Sequence, residues 1–283
     1  MEIVCLQKEN DNTPLYCMPT VAGSVSSYRE LAKILGADRP VYGIRAADRA
    51  QTGKFEAFES VQAMAASIAT KLMVHRPDGP ICLIGYSFGA YLALEVARQL
   101  VGQNKLVPFV GIIDAMPPRL CFTRADRIYF FARNVGPWAL AFVTKIMADP
   151  KHWSNYLNSV LGKVRRQHHL LGQDWYHGLP EYRQIVVKQT IVNVRKYRCE
   201  GIYRGTIFLF RQRQSTGPSN HLFRPHRLED YGWRRITRAN VRVVYILGAH
   251  GSCMDQPDVS SIANELRLLL DAAVGRYDEQ MLS

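Results

Sequence analysis

The chain has 283 residues, of which 47% are hydrophobic, 10% aromatic and 21% charged, and its formal net charge is +12. This length suffices for one large domain with a single core, and the hydrophobic content excludes an intrinsically disordered chain. Charged residues, glycine and proline interrupt the most apolar long stretch, residues 128–147, which excludes a membrane span, and the first ten residues carry no signal-peptide pattern.

The cysteines and the distribution of charge further limit which class of protein this chain can be. The six cysteines form no Cys-x-x-Cys pair, which favours free thiols in a reducing, cytoplasmic compartment over disulfides or a zinc site. Between Arg195 and Arg242, twelve Lys/Arg residues face three Asp/Glu residues. This basic region is interpreted either as a solvated face or as a docking surface for an acidic protein or a phosphate-bearing substrate. Nucleic-acid binding is not expected, because no binding motif accompanies the charge.

The spacing of apolar residues predicts the strands and helices of the first half of the chain. Residues 2–6 and 15–18 are predicted as two strands joined by a tight turn, and the second leads into a loop at 19–24. Helical spacing follows at 28–35 and 58–74, with a strand at 40–44 between them. Further strands are predicted near 81–85 and 106–113, with a helix between them. This alternation predicts an α/β fold with a mostly parallel sheet and helices on both faces.

The pattern changes after the strand at 106–113. Residues 119–200 contain apolar residues at helical spacing and no strand of comparable quality, which predicts a helical insertion. An insertion above the carboxyl edge of the sheet would form a lid, whereas the alternative is a set of ordinary outer helices. Strands at 205–210 and 241–247 resume the sheet, and Pro257 opens a last helix. The prediction is one domain over residues 1–283 with a lid at about 119–200.

A candidate nucleophile lies between the strand that ends near residue 85 and the helix that follows it. The motif is Gly85-Tyr86-Ser87-Phe88-Gly89. A serine at such a strand–turn–helix elbow has a strained backbone and needs small neighbours, which the two glycines supply. The hydroxyl would be exposed at a helix N-terminus, where developing negative charge is favoured.

Acyl transfer by serine also requires a base, an acid and oxyanion donors. His250 is the predicted base, because it follows the last strand in a short glycine-flanked loop. Asp114, at the end of the strand after the serine unit, is the predicted acid. Glu229 and Asp230 are the alternatives, since no carboxylate directly follows the strand at 205–210. The order Ser, Asp, His is that of the strand–elbow–helix hydrolases.

The predicted oxyanion donors are two backbone amides. One is the amide of Phe88, directly after the nucleophile, and the other is the amide of Val21 in the loop after an early strand. Because these roles belong to the backbone, the side chains at both positions constrain them weakly.

These stretches together resemble the thioesterase domains that end nonribosomal peptide and polyketide synthase assembly lines, within the α/β-hydrolase superfamily. The resemblance spans about residues 2–273 apart from the insertion, and it rests on residues 14–19 with Gly23, Ser24 and Tyr28, residues 39–44, residues 85–90, Asp114 with Pro117 and Pro118, and residues 248–250 with Met254 and Pro257.

The resemblance implies that Ser87 is the nucleophile, Asp114 the acid and His250 the base, beneath a helical lid. It also implies an acyl group delivered as a thioester on the 4'-phosphopantetheine arm of an acyl or peptidyl carrier domain. The carrier is then the expected partner, with no cofactor or metal bound by this chain and a monomeric state. Release would be by hydrolysis or cyclisation.

Three other functions stay open. A free-standing editing thioesterase would more often carry its acid after the later strand, where this chain has no carboxylate. An esterase or lipase for small esters would share every catalytic residue. A binding module of the same fold that has lost the chemistry is the third.

Overall fold

A single sheet organises the part of the chain that the computed structural model describes, namely residues 1–7, 12–46, 58–118, 176–199, 203–212, 228–237 and 239–282 with residues 144 and 147. The strands are β1 (Glu2–Gln7), β2 (Leu15–Cys17), β3 (Val41–Arg45), β4 (Cys82–Tyr86), β5 (Phe109–Ile113), β6 (Ile207–Gln212) and β7 (Val241–Ile246). The α-helices are α1 (Arg29–Leu35), α2 (Val61–His75), α3 (Gly89–Gly102), α4 (Glu181–Lys196) and α5 (Val259–Leu282).

The strand order is β1-β3-β2-β4-β5-β6-β7, and all pairs from β3 to β7 are parallel. Parallel strands point their carboxyl ends to the same edge of the sheet. The residues that follow β2, β4, β5, β6 and β7 therefore meet at one edge. The alternation of apolar strands and amphipathic helices predicted this arrangement.

The predicted tight turn between the first two strands is wrong. Strand β1 pairs antiparallel with β3, with Ile3 opposite Ile44, and β3 lies between β1 and β2. The two apolar runs are correct as strands, but neighbours in sequence are not partners in the sheet. Periodicity reports which side of a strand is buried and carries no information about which strand lies beside it.

Two apolar cores cover the two faces of the sheet. One contains the buried faces of α2 and α3, including Ile68 and Leu92, and the other contains those of α1 and α5, including Leu31 and Leu266. The five described cysteines are free thiols, and burial raises the pKa of Cys82 to about 12. None of the described helices is long and apolar enough to cross a membrane.

Helix α4 is the longest described part of the predicted insertion. The apolar stripe predicted there is Ile185, Val186, Ile191, Val192 and Val194. The buried residues of the helix are instead Val186, Val187, Thr190 and Asn193, whereas Ile185 and Val192 are exposed. Most of the rest of the predicted lid lies outside the described residues. The lid over residues 119–200 therefore stays a prediction.

The C-terminal end of α4 is attached to α3 through a buried carboxylate. The Tyr197 hydroxyl donates to Glu95 Oε2 at 3.0 Å, and Gln99 Nε2 donates to Glu95 Oε1 at 3.1 Å. Burial and the neighbouring Glu95 raise the pKa of Tyr197, so its hydroxyl stays a donor. A second link joins α4 to the segment before α2, where Asn193 Nδ2 donates to the Phe58 carbonyl at 2.7 Å.

We expect Tyr197→Phe to lower the free energy of unfolding by about 1–3 kcal/mol, because it removes a donor from a buried carboxylate. Denaturant unfolding monitored by circular dichroism measures this change. The matched control is Tyr182→Phe, since within the described residues the Tyr182 hydroxyl accepts one bond, from the adjacent Arg183 at 3.1 Å. That control should change stability by less than about 0.5 kcal/mol. Equal effects of the two variants would contradict the proposed attachment.

Candidate active site

Ser87 lies at the apex of the turn between β4 and α3. Its backbone has a φ of +56°, in the left-handed region that a non-glycine residue rarely adopts. A Cβ atom added at Gly85 would lie only 2.0 Å from the Gly89 carbonyl oxygen, so the turn closes only with glycine there. The Ser87 amide donates to the Ile113 carbonyl of β5 at 3.2 Å, which continues the sheet into the elbow.

The elbow is supported from below by the segment after β2. The Tyr28 hydroxyl accepts a hydrogen bond from the Tyr86 amide at 2.7 Å. Burial raises the pKa of Tyr28 well above its ordinary value, so the hydroxyl stays neutral there. A Cβ atom at Gly89 would lie 3.0 Å from the Met18 carbonyl oxygen, which shows how closely the loop after β2 approaches the elbow.

Asp114 follows β5 and is buried. Its φ is +45°, and its amide donates to the Phe210 carbonyl of β6 at 2.7 Å. The next residue is held as well, because Trp233 Nε1 donates to the Ala115 carbonyl at 2.9 Å. The carboxylate therefore projects from a backbone that two neighbouring segments hold in place.

His250 lies in the loop between β7 and α5. The Ala249 amide donates to Ser252 Oγ at 3.0 Å, and the Ala249 carbonyl accepts from the Cys253 amide at 2.8 Å. Gly248 has a φ of +82°, and an added Cβ would lie 2.3 Å from Asp258 Oδ2, so glycine is required at this turn. A compact turn thus presents His250 at the carboxyl edge of the sheet.

The structure brings the three predicted side chains together. His250 Nε2 lies 3.2 Å from Ser87 Oγ, and His250 Nδ1 lies 2.8 Å from Asp114 Oδ2. An ionised carboxylate only accepts hydrogen bonds, so Nδ1 carries the proton and Nε2 can accept from the serine hydroxyl. The His250 side chain is 40% exposed and the Asp114 side chain 0%, so the base faces the cleft and the acid lies behind it.

The two predicted oxyanion amides donate to no acceptor in the described part of the chain. In the loop after β2, the Thr20 amide donates to the Ser24 carbonyl and the Gly23 amide to the Thr20 carbonyl, at 3.0 Å and 2.8 Å. Among the described residues, none accepts from the amides of Val21 or Phe88. Both can therefore donate to a ligand.

The alternative acids are occupied elsewhere. Asp230 accepts from the amides of Gly232 and Arg234 at 3.0 Å and 2.9 Å, which caps the short 3₁₀ turn Trp233–Arg235. Glu229 accepts from the Tyr245 hydroxyl at 2.8 Å. Neither forms a hydrogen bond with His250 among the described residues, so Asp114 is the carboxylate at the base.

Two contacts of the site were not predicted from the sequence. The Tyr86 hydroxyl donates to the His250 carbonyl, and the two rings lie 5.1 Å apart, so a residue inside the elbow holds the histidine loop. Gln212 Nε2 donates to Asp114 Oδ2 at 2.7 Å. The only sequence signal for Gln212 was its place two residues after the apolar run of β6.

A cleft opens beside the elbow, between α2 and α4. Its empty space of about 390 Å³ includes open solvent, so the cleft is a groove and not an enclosed cavity. Its walls include the apolar side chains of Phe58, Met64 and Phe88 and the polar side chains of Gln189 and Thr190. Within the described ranges, no group of three His, Cys, Asp or Glu side chains could hold a metal ion.

Comparison with known proteins identifies the relatives of this chain. The family model for the thioesterase domain matches residues 13–127, which include the elbow and Asp114. Atromentin synthetase of Tapinella panuoides is 34% identical over 154 residues, covering 53% of this chain and 15% of that protein. The nonribosomal peptide synthetase pngA of Aspergillus terreus is 32% identical over 118 residues, covering 42% of this chain and 12% of that protein.

The predicted resemblance to the thioesterase domains of nonribosomal peptide synthetases is confirmed. The chain spans only 12–15% of the length of these relatives. One further relative, from Paxillus involutus, is named an inactive atromentin synthetase and is 34% identical over 127 residues, covering 45% of this chain and 12% of that protein.

Solved thioesterase structures share the fold. The Vlm2 thioesterase domain, solved with a bound dodecadepsipeptide, matches with a TM-score of 0.59 at 20% identity, covering 96% of this chain and 97% of that one. A four-domain nonribosomal peptide synthetase, holo-AB3403, matches with a TM-score of 0.64 at 17% identity, covering 94% of this chain and 20% of that one. The predicted α/β-hydrolase fold with a mostly parallel sheet is confirmed.

We expect Gly85→Ala to disrupt the elbow, because the added methyl group would meet backbone atoms that cannot move aside. The expected loss of stability exceeds about 3 kcal/mol, and the soluble fraction should not react with a fluorophosphonate. Gly102→Ala at the end of α3 is the matched control, since an added Cβ there meets nothing within 4 Å. A stable, reactive Gly85→Ala protein would show that the turn is not as tight as described.

Proposed function

We propose that this chain is a serine thioesterase that releases an acyl, peptidyl or polyketide chain from the phosphopantetheine arm of a carrier domain. The observation that carries the proposal is a pair of hydrogen bonds at His250, whose Nε2 accepts from Ser87 Oγ at 3.2 Å and whose Nδ1 donates to Asp114 at 2.8 Å. This arrangement is the one that serine acyl transfer requires, with a nucleophile, a base and an orienting acid in one line.

In the acylation half of the reaction, His250 Nε2 takes the Ser87 hydroxyl proton while Oγ attacks the thioester carbonyl. The tetrahedral intermediate carries its negative charge on the former carbonyl oxygen, where the amides of Val21 and Phe88 donate to it. Collapse breaks the carbon–sulfur bond, and the carrier thiolate leaves with the proton that His250 held. Asp114 stabilises the imidazolium throughout and stays ionised.

In the release half, His250 removes a proton from water or from an amine or hydroxyl of the acyl chain itself. That nucleophile attacks the Ser87 ester, and His250 returns the proton to Ser87 Oγ as the product leaves. Hydrolysis and cyclisation use the same residues and differ only in which nucleophile reaches the ester. Exclusion of water from the cleft therefore decides the outcome.

The cleft beside the elbow supports an acyl substrate with both apolar and polar groups. Phe58, Met64 and Phe88 provide apolar walls, and Gln189 and Thr190 place an amide and a hydroxyl on the α4 side. Because α4 forms one wall and belongs to the proposed insertion, we infer that the lid contributes to substrate choice. The cleft is thus lined by residues of the core of the fold and by residues of the proposed lid.

The relatives favour a carrier-bound substrate, since they are synthetases of much greater length than this chain. Two relatives from Paxillus involutus are named inactive, so loss of chemistry within the family is the competing hypothesis. The intact hydrogen-bonded line from Ser87 to Asp114 supports activity in this chain. An esterase for small free esters is the other candidate, and it would use the same residues.

We expect Ser87→Ala to abolish covalent labelling by a fluorophosphonate and all release of product. Asp114→Asn should lower kcat by roughly 10⁴-fold, because a neutral amide does not stabilise the imidazolium. Rates are compared on an acyl-carrier thioester and on a p-nitrophenyl ester of the same acyl group. Labelling of Ser87→Ala would refute the assignment of Ser87 as the nucleophile. Faster turnover of the free ester would favour the esterase hypothesis.

The exposed cations at the C-terminal end of α4 predict a salt effect on carrier docking. Arg195, Lys196 and Arg198 are exposed, whereas Arg211 of the same basic region is buried and donates to the Leu228 and Glu229 carbonyls. The buried arginine therefore cannot contribute to a docking surface.

Raising the salt concentration from about 50 to about 500 mM should raise the KM of a carrier-bound substrate several-fold, since exposed charges are screened. The KM of the same acyl group on free pantetheine should stay within twofold. Lys196→Glu should weaken carrier binding at low salt, with Lys71→Glu on the exposed face of α2 as control. If the KM for the carrier substrate does not change with salt concentration, electrostatic docking at these cations is excluded.

A further inference from the structure

Gln212 is the last residue of β6, and its side chain is buried against the proposed acid. It is 2% exposed, and its Nε2 lies 2.7 Å from Asp114 Oδ2. The same oxygen accepts from His250 Nδ1 at 2.8 Å. We propose that Gln212 is a positioning residue that holds the Asp114 carboxylate for His250. This inference rests on the proposed function.

The sheet explains why this side chain reaches the acid. Strand β6 lies between β5 and β7, with Ile113 of β5 paired with Phe210 and Gln212 paired with Ile246 of β7. Gln212 therefore lies at the carboxyl edge, between the strand that leads to Asp114 and the strand that leads to His250. Gln212 itself pairs with β7, whereas the pairing of β6 with β5 ends at Phe210, two residues earlier.

Gln212, and not the neighbouring Arg211, contacts the acid because side chains alternate between the two faces along β6. Successive side chains of a strand point to opposite faces. Arg211 lies with its guanidinium 4.3 Å from the centre of the Tyr231 ring and donates to the Glu229 carbonyl. Arg211 is therefore engaged elsewhere, and a one-residue shift of β6 would bring a cation to the acid instead of an amide.

The contact fits one tautomer of the base. The Gln212 amide donates at Nε2 to an Asp114 oxygen, and an ionised carboxylate that accepts there can also accept from His250 Nδ1. With the proton on Nδ1, Nε2 is left to accept from Ser87. Gln212 thus acts through Asp114 on the base, and it touches neither substrate nor nucleophile.

An amide has an advantage over a carboxyl group at this position. Two carboxyl groups 2.7 Å apart cannot both be ionised, and they would share one proton whose loss depends on pH. The amide supplies the same donor without titrating. The glutamine therefore keeps a hydrogen bond to the acid that does not change with pH.

The experiment compares Gln212→Met and Gln212→Glu with the wild type. Gln99→Met is the matched control, because Gln99 Nε2 donates at 3.1 Å to another buried carboxylate, Glu95, outside the proposed site. For each protein, kcat and KM are measured on a pantetheine thioester over a range of pH. A fluorophosphonate titration gives the concentration of reactive sites, and thermal unfolding gives stability.

Gln212→Met should lower kcat roughly tenfold or more at every pH while KM stays within twofold, since an interaction that supports only the acid and base has been removed. Gln99→Met should lose stability while kcat stays within twofold. A fall in kcat of Gln212→Met no larger than that of Gln99→Met, or a change confined to KM, would overturn the proposal.

Gln212→Glu provides a test within one folded protein. While its carboxyl group is protonated it can donate to Asp114, so activity should approach that of the wild type. As the pH rises the shared proton is lost, the two carboxylates repel, and kcat should fall along a basic limb that the wild type and Gln212→Met lack. A Gln212→Glu profile parallel to that of the wild type would refute the positioning role. A wild-type protein inert to both thioester and fluorophosphonate would instead refute the proposed function.

Discussion

The parallel pairing of β4, β5, β6 and β7 is the constraint on which the rest of the candidate site depends. Each of these strands ends at the same edge, where the residues of the site lie. Ser87 and Asp114 directly follow β4 and β5, Gln212 ends β6, and His250 lies in the loop after β7. Backbone bonds continue beyond the strands, since the amides of Ser87 and Asp114 donate to carbonyls of the next strand. The register of the sheet therefore sets the distances between the reacting groups.

Left-handed backbone conformations turn the chain from these strands toward the site. Ser87 and Asp114 have positive φ values without being glycine, and each such residue costs on the order of 1–3 kcal/mol. The cores on both faces of the sheet, with α2 and α3 on one side and α1 and α5 on the other, offset that cost. Within the site, this conformation occurs at the proposed nucleophile and acid, whereas the histidine loop uses Gly248, two residues before His250.

Much of the fold and the line of three side chains could be predicted from the sequence, because both depend on local patterns. Alternating apolar runs mark strands, helical stripes mark helices, and residues directly after strands must meet at one edge. The pairing of β1 with β3 could not be predicted, since sheet order depends on contacts between distant segments. The sequence also did not predict which face of α4 is buried, because two of its buried residues, Thr190 and Asn193, are polar. Thr190 lines the cleft, and Asn193 donates a hydrogen bond to the Phe58 carbonyl. Gln212 could not be predicted, because a glutamine that donates to a catalytic carboxylate has no sequence pattern of its own.

The most direct test of this account is mass spectrometry of the protein mixed with an acyl-pantetheine thioester and quenched within milliseconds to seconds. The account predicts an adduct with the mass of the acyl group, located on the peptide that contains Ser87 and absent from Ser87→Ala. Asp114→Asn should form the adduct far more slowly. An acyl adduct on any other residue, or product released with no covalent intermediate at any time, would contradict the assignment of Ser87 as the nucleophile.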